Sequence, residues 1–301
     1  MQKDSLLLAS ALFLAASASA QSLDSLSSSL ATTAPLYNEP YRPQYHYSPP
    51  MNFMNDPNGL VYFNGTYNLY FQWNSLTNVA GNQNWGHATS TDLIHWKNAS
   101  PFIAIPYEPL TGGYIYSGSA VVDSNNTSGF FNGTAGGGLV AIYTLATYPP
   151  FANPATQVQD IAYSLDSGIT YTKYSGNPVL NVDNPNFRDP YVFWYPLTQR
   201  WIMAVSLAND HQILFYSSKN LKTWNYMSSF GPAGTLGVAY EVPNLIQVPI
   251  EGTNQRKWVL LVGINPGAPL GGSDAKCRLT SSTSDSCVRL PAAVMSRLEG
   301  A

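Results

Sequence analysis

The sequence predicts an all-β chain built from repeated sheet units, and three observations carry that prediction. Aromatic residues make up 13% of the chain and charged residues only 10%, and 20 Tyr, 23 Gly and 22 Pro stand where long Ala/Glu/Lys/Leu helix patterns are missing. Strand-forming aromatics with frequent turn residues describe a turn-rich β protein with an aromatic-lined pocket. From Tyr41 the texture is short alternating runs broken by Gly, Pro, Asn and Asp. Gly59–Phe63, then Asn64-Gly65, then Tyr67–Trp73 reads as strand, tight turn, strand.

The third observation is a recurring pattern. Ala88-Thr-Ser-Thr-Asp-Leu-Ile-His-Trp96 resembles Tyr216-Ser-Ser-Lys-Asn-Leu-Lys-Thr-Trp224, and Ala162-Tyr-Ser-Leu-Asp-Ser-Gly-Ile-Thr-Tyr171 is a looser copy. Each is a strand ending at a Ser, a polar turn, then a strand with an aromatic. Ser90, Ser164 and Ser218 lie 74 and 54 residues apart, longer than the ~40–50 residues of common blade repeats but compatible with four-stranded propeller blades. A β-sandwich reusing similar hairpins is the alternative. In either fold Asp92, Asp166 and Asn220 are expected as turn residues, and His95, Trp96 and Trp224 as packing residues.

Along the chain, Lys3 precedes the apolar stretch Leu6–Ala16, and Ala18-Ser19-Ala20 offers a small-residue cleavage site. Residues 1–20 therefore read as a secretory signal peptide. Residues 21–40 read as a Ser/Thr/Ala-rich leader, 41–273 as the propeller, and 274–301 as a Ser/Thr/Arg-rich tail with too little apolar surface to order itself. Secretion agrees with five glycosylation sequons, at Asn64, Asn98, Asn125, Asn126 and Asn132. The only cysteines, Cys277 and Cys287, fall in the tail, so the main body does not rely on a disulfide.

Several functions are poor fits. The net charge is −3 with no Lys or Arg run, which disfavours nucleic acid and anionic membranes as partners. No apolar run is long enough to span a bilayer. His46, His87, His95 and His211 are scattered without ligand spacing, so no metal is indicated, and no cofactor motif or nucleophile-elbow serine occurs. A neutral, polar ligand suits this composition.

With charge so scarce, three acids stand out. Asp56 lies in Phe53-Met-Asn-Asp-Pro-Asn-Gly59, Asp189 in Phe187-Arg-Asp-Pro-Tyr191, and Glu241 in Tyr240-Glu-Val-Pro-Asn244. Each sits at, or one residue before, a position preceding proline, which is expected to hold it in extended backbone. Singly, each is better explained by a turn or a surface acid. Together, on strands that a propeller gathers around one channel, they suggest a glycosidase.

These motifs resemble glycoside hydrolase family 32, the invertases, inulinases and related fructosyltransferases, and among its members the fungal and yeast invertases. The resemblance rests on Met54-Asn-Asp-Pro-Asn-Gly59, Tyr116-Ser-Gly-Ser119, Phe187-Arg-Asp-Pro190 and Tyr240-Glu-Val-Pro243, supported by Trp85-Gly-His-Ala88 and Ile264–Ser273. It implies a five-bladed β-propeller followed by a β-sandwich, and a retaining enzyme cleaving terminal β-D-fructofuranosides such as sucrose or fructans. Carried over by motif, Asp56 is the nucleophile, Glu241 the general acid/base and Asp189 a transition-state stabiliser. Asn55, Gln72, Trp85, Ser117 and Arg188 are expected to line the fructose pocket, with Trp85 offering an apolar face to the sugar. Retention requires the two working carboxyls ~5–5.5 Å apart.

Two departures from the family pattern flank catalytic groups. Phe53 stands where many relatives have Trp, and Val242 where many invertases have Cys, so hydrolysis and fructosyl transfer both stay open. After Ser273 the resemblance stops. A polypeptide ending this way is expected to lack the final blades and the sandwich, to expose strand edges, and to show poor solubility and little activity.

Overall fold

In the computed structural model, residues 37–234, 236–265 and the backbone of residues 275–276 are described. The signal peptide, most of the leader, Cys277, Cys287 and nearly all of the 274–301 tail lie outside the described residues.

Each hairpin signal becomes a pair of antiparallel strands, and the pairs extend into four meanders in chain order. The first sheet is β1 (Met54–Phe63), β2 (Thr66–Asn74), β3 (Gln83–Ser90) and β4 (Trp96–Ile105). The second is β5 (Gly113–Asp123), β6 (Gly138–Thr147), β7 (Thr156–Ser164) and β8 (Thr172–Lys173). The third is β9 (Phe187–Tyr195), β10 (Arg200–Leu207), β11 (Gln212–Ser218) and β12 (Asn225–Phe230). The fourth holds β13 (Ala239–Pro249), β14 (Arg256–Asn265) and β15 (Ala275–Lys276). One 3₁₀ turn, Ala208–Asp210, is the single helical element among the described residues. These are successive blades of the expected five-bladed propeller type, and the sheets do not close into a ring. β15 lies just past the boundary expected at residue 273.

The repeat read from the sequence has a clear physical basis. Ser90, Ser164 and Ser218 each end the third strand of a sheet. Ser90 Oγ accepts the N–H of Asp92 (3.1 Å) and Leu93 (2.9 Å), and Ser218 Oγ accepts those of Asn220 (3.1 Å) and Leu221 (2.9 Å). Ser164 Oγ accepts the N–H of Asp166 and Gly168. The side chains of Asp92, Asp166 and Asn220 accept the next N–H groups, as expected of turn residues. The chain then passes through left-handed backbone at Leu93 (φ 65°) and Leu221 (φ 63°), where the carbonyls receive the indole N–H of Trp96 and Trp224. His95 corrects its expectation: its ring is 84% exposed and pairs with Asp92 at 2.7 Å, because the turn faces outward.

Packing between sheets explains why some strands read as continuous apolar runs. On β6, Ala141 and Tyr143 face the first sheet, against Tyr70, Trp85 and Ile105, whereas Val140 and Ile142 face the third, against Phe187, Met203 and Val205. On β10, Trp201, Met203 and Val205 face the second sheet while Ile202 and Ala204 face Tyr240 and Leu245 of the fourth. A strand covered on both faces loses the polar half of its alternation. The other face of the first sheet is closed by the incoming segment, where Tyr47 packs with Phe71 and Trp96.

Candidate active site

The first strands of the four sheets, β1, β5, β9 and β13, touch one another in that order. Each breaks its ladder where a sequence motif stands. The register slips between Met54 and Pro57 on β1, between Ile115 and Gly118 on β5, opposite Ala204/Ser206 on β9, and between Glu241 and Asn244 on β13. A bulge adds an unpaired residue and re-aims its side chain. These four bulges carry Asn55 and Asp56, Ser117, Asp189, and Val242 beside Glu241.

The three acids meet through short contacts between sheets. Ser117 Oγ donates to Asp56 Oδ2 at 2.5 Å, and the Asn55 amide reaches Asp56 Oδ1 at 3.3 Å. Arg188 donates through Nη2 to Glu241 Oε1 at 2.7 Å, and its Nε lies 4.0 Å from Asp189 Oδ2. The Val242 N–H donates to Asp189 Oδ2 at 3.0 Å. So the nucleophile candidate is tied to the second sheet, and the other two acids tie the third sheet to the fourth.

Asp189 is the buried member, 7% exposed. Burial pushes its carboxyl up to about 7; the Val242 N–H and Arg188 oppose the rise, and the charges of Asp56 and Glu241 add to it. The charges of Asp56 and Glu241 thus both reach the Asp189 carboxyl.

The backbone expectation for these acids fails at the third and fourth sheets. Asp189 has φ 66° and Val242 φ 42°, both directly before proline and both left-handed rather than extended. Such backbone costs about 1–3 kcal/mol for a non-glycine residue and persists only where surroundings over-determine it. The bulges impose it.

Gln72 and Trp85 also correct their expectation. They are 1% and 0% exposed, so neither presents a face to a ligand. The Trp85 ring packs against Tyr70 and Tyr143. Gly59 lies over it at φ 50°, and a Cβ there would sit 3.1 Å from the ring and 3.0 Å from Ala120. The Gln72 amide donates to the Asn58 amide oxygen at 3.0 Å, and the Trp85 indole N–H, directed at the Tyr116 carbonyl at 3.0 Å, lies 3.2 Å from the same oxygen. They support the floor of the site rather than line it.

Sequence reasoning missed Asn58 and a polar line beside Arg188. Gln157 accepts from Arg188 Nη1 at 3.5 Å and donates to Tyr148 Oη at 3.1 Å, and Tyr148 Oη lies 3.1 Å from Tyr116 Oη. Asn58 lay inside a motif already singled out; Gln157 and Tyr148 carry no local signal and are found only through their sheet. Among the described residues, no three His, Cys, Asp or Glu side chains are placed to hold a metal ion, and no helix is long and apolar enough to cross a membrane.

Known proteins resemble this chain in sequence and in fold. The family model for the glycosyl hydrolases family 32 N-terminal domain matches residues 46–285. An invertase of Schizosaccharomyces pombe is 46% identical over 239 residues, covering 79% of this chain and 40% of its own length. An extracellular exo-inulinase of Aspergillus niger is 46% identical over 260 residues, covering 78% and 47%. The solved β-fructofuranosidase of Schwanniomyces occidentalis, complexed with fructosyl-erythritol, superposes with a TM-score of 0.72 at 45% identity, covering 79% of this chain and 45% of that one. The chain thus spans less than half the length of these relatives. With a family match over most of its residues, it belongs to glycosyl hydrolase family 32.

Proposed function

We propose that this chain carries the catalytic site of a retaining β-fructofuranosidase, hydrolysing terminal β-D-fructofuranosides such as sucrose by double displacement. One observation supports this above the rest: Asp56, Asp189 and Glu241 come from three different sheets, Arg188 lies between Asp189 and Glu241, and the charge of Asp56 reaches Asp189. Asp56, oriented by Ser117 and Asn55, attacks the anomeric carbon as Glu241 protonates the departing glycosidic oxygen. Water, deprotonated by Glu241, then attacks the same carbon and releases fructose and free Asp56. Asp189 and Arg188 grip the sugar hydroxyls, and Asp189 does so more strongly as positive charge develops on the ring. Incoming hydroxyls compete for the Arg188 guanidinium, and Glu241, released from that pair, takes up a proton from solvent that it then gives to the departing oxygen. No cofactor is needed.

The printed name of the Aspergillus relative supports an extracellular setting. Asn64, Asn125 and Asn132 are exposed, as glycan acceptors must be.

A second reading has its own support. On the fourth sheet, Val242 is 38% and Ile246 37% exposed, surface that further sheet packing would cover. The chain would then bind fructosides without turning them over. Fructose release from sucrose and inulin by the 301-residue chain tests the two together. Release that vanishes in Asp56→Asn supports hydrolysis; fructose binding without release supports the second reading; neither binding nor release contradicts both. Short fructans in place of free fructose at high sucrose would reassign the activity to transfer.

A further inference from the structure

β9 is the edge strand of its sheet, and side chains of the second sheet take up four backbone groups on its outer side, in and around the bulge. Gln159 Nε2 donates to the Phe187 carbonyl at 2.8 Å. The Asp189 N–H donates to Thr144 Oγ1 at 3.0 Å, and that hydroxyl donates to Gln159 Oε1 at 2.8 Å. Ser119 Oγ donates to the Pro190 carbonyl and accepts the Val192 N–H, both at 3.0 Å. Thr144 and Gln159 are wholly buried, within strands otherwise lined by Ile142, Tyr143 and Ile161. A buried polar pair stabilises nothing by packing that an apolar pair would not match; it is compensated only by the groups it bonds.

The same device recurs between other sheets. The Trp85 indole on β3 donates to the Tyr116 carbonyl at 3.0 Å, just before Ser117, and Ser206 on β10 donates to the Tyr240 carbonyl, just before Glu241. In three cases a side chain of one sheet holds the carbonyl immediately before a site residue of the next.

We propose that Thr144 and Gln159 are positioning residues for Asp189, a clamp that holds its left-handed backbone so that its carboxylate faces the site. The inference deepens the reading of Asp189 as a transition-state stabiliser and rests on it. Thr144 fixes the N–H of the Arg188–Asp189 peptide and Gln159 the carbonyl of the Phe187–Arg188 peptide, so turning either plane on the way into Asp189 would break one of the two bonds. Without the clamp the pre-proline preference for extended backbone turns the carboxyl away from Val242.

The test follows the Asp189 carboxyl by ¹³C NMR titration in the 301-residue chain, assigned by its loss in Asp189→Asn. In the parent chain the midpoint is expected at about 7. The facing groups, Arg188, Asp56, Glu241 and the Val242 N–H, are unaltered by the variants. Thr144→Val is expected to move the midpoint by at least about one unit, because a turned carboxyl changes both its burial and its contact with the Val242 N–H, and Thr144→Ser to restore it. Val140→Ala, on the same strand, is expected to lower the melting temperature without moving the midpoint. If Thr144→Val does not fold, Gln159→Met gives the same readout. On sucrose, the clamp variants are expected to lose about 10- to 100-fold in kcat with KM within about twofold. A folded Thr144→Val with an unmoved Asp189 midpoint, or an equal movement in Val140→Ala, would overturn the clamp. A chain that turns over no fructoside would count against the proposed activity, while the titration still decides the clamp.

Discussion

The second and fourth sheets show how differently one fold can treat the same kind of strand. β6 is covered on both faces, and Leu139 through Tyr143 are wholly buried. β13 is covered on one face only, so Tyr240 and Leu245 are buried while Val242 and Ile246 are open. The site spans this difference. Asp189 stands where a fully packed sheet clamps its backbone from Thr144 and Gln159, whereas Glu241 is held by Ser206 and by its ion pair with Arg188. The contrast teaches that the rigid half of the site lies between the second and third sheets. Glu241 hangs on a sheet with one face open among the described residues.

The largest effect separates the acids themselves. Asp56→Asn and Glu241→Gln are each expected to cost at least about 10³-fold in fructose release, because each removes a bond-making or proton-moving group. A loss below tenfold in either would break its assigned role. Next comes Gly118→Ala, aimed at the packed side of the comparison. A Cβ there would lie 2.0 Å from the Ile142 carbonyl oxygen and 2.7 Å from Tyr143 Cα. Backbone cannot yield as a side-chain tip can, so about 3 kcal/mol or more of stability should be lost in urea unfolding. A near-parental midpoint would show that β5 and β6 can separate freely.

A pH series sharpens the same contrast. Asp160 on β7 is buried, and burial pushes its carboxyl up to about 7; Glu108 adds to the rise and Lys173 opposes it. Asp189 is raised to a similar value. In the unfolded chain both return to an ordinary value near 3.8. The folded state therefore keeps protons that the unfolded state has lost, and stability falls as pH rises. The contribution is full below about 4 and gone above about 7. Melting temperatures between pH 4 and 8 should decline across that window, and Asp160→Asn should flatten the decline. An unchanged slope in Asp160→Asn would mean that Asp160 is ionised within the fold.

The smallest effect belongs to the repeated turns. Ser90→Ala, Ser164→Ala and Ser218→Ala each remove an acceptor for two N–H groups, and each should cost about 1 kcal/mol in denaturant melts. Equal costs would confirm that the three turns are one device used three times.

Much of this was legible in the sequence because it is local. The Asn64-Gly65 hairpin, the three Ser-ended strands and the turn acids depend on residues within a few positions of each other, and the structure has them as read. The acids were legible as motifs, and their convergence followed from strands meeting around an axis. What was not legible depends on neighbours distant in the chain. The left-handed backbone of Asp189 and Val242 runs against the pre-proline preference because bulges and the adjacent sheet impose it. Trp85 looked like a sugar platform by motif, but Gly59 and Tyr143 bury it, and no local feature of Trp85-Gly-His-Ala88 announces that. The lone Thr144 within an apolar run and the polar Gln159 in mid-strand were visible hints. Their partner, the β9 bulge, was not.

The central claim is that the three acids gather around one furanose ring on the first strands of their sheets. The most direct measurement is a crystal structure of the 301-residue chain carrying Asp56→Asn, soaked with sucrose. The expected result is a single fructosyl ring in contact with Arg188, Asp189 and Glu241, with the substituted side chain beneath its anomeric carbon. A ring bound elsewhere, or density showing Glu241 turned to a separate surface from residue 56, would contradict it.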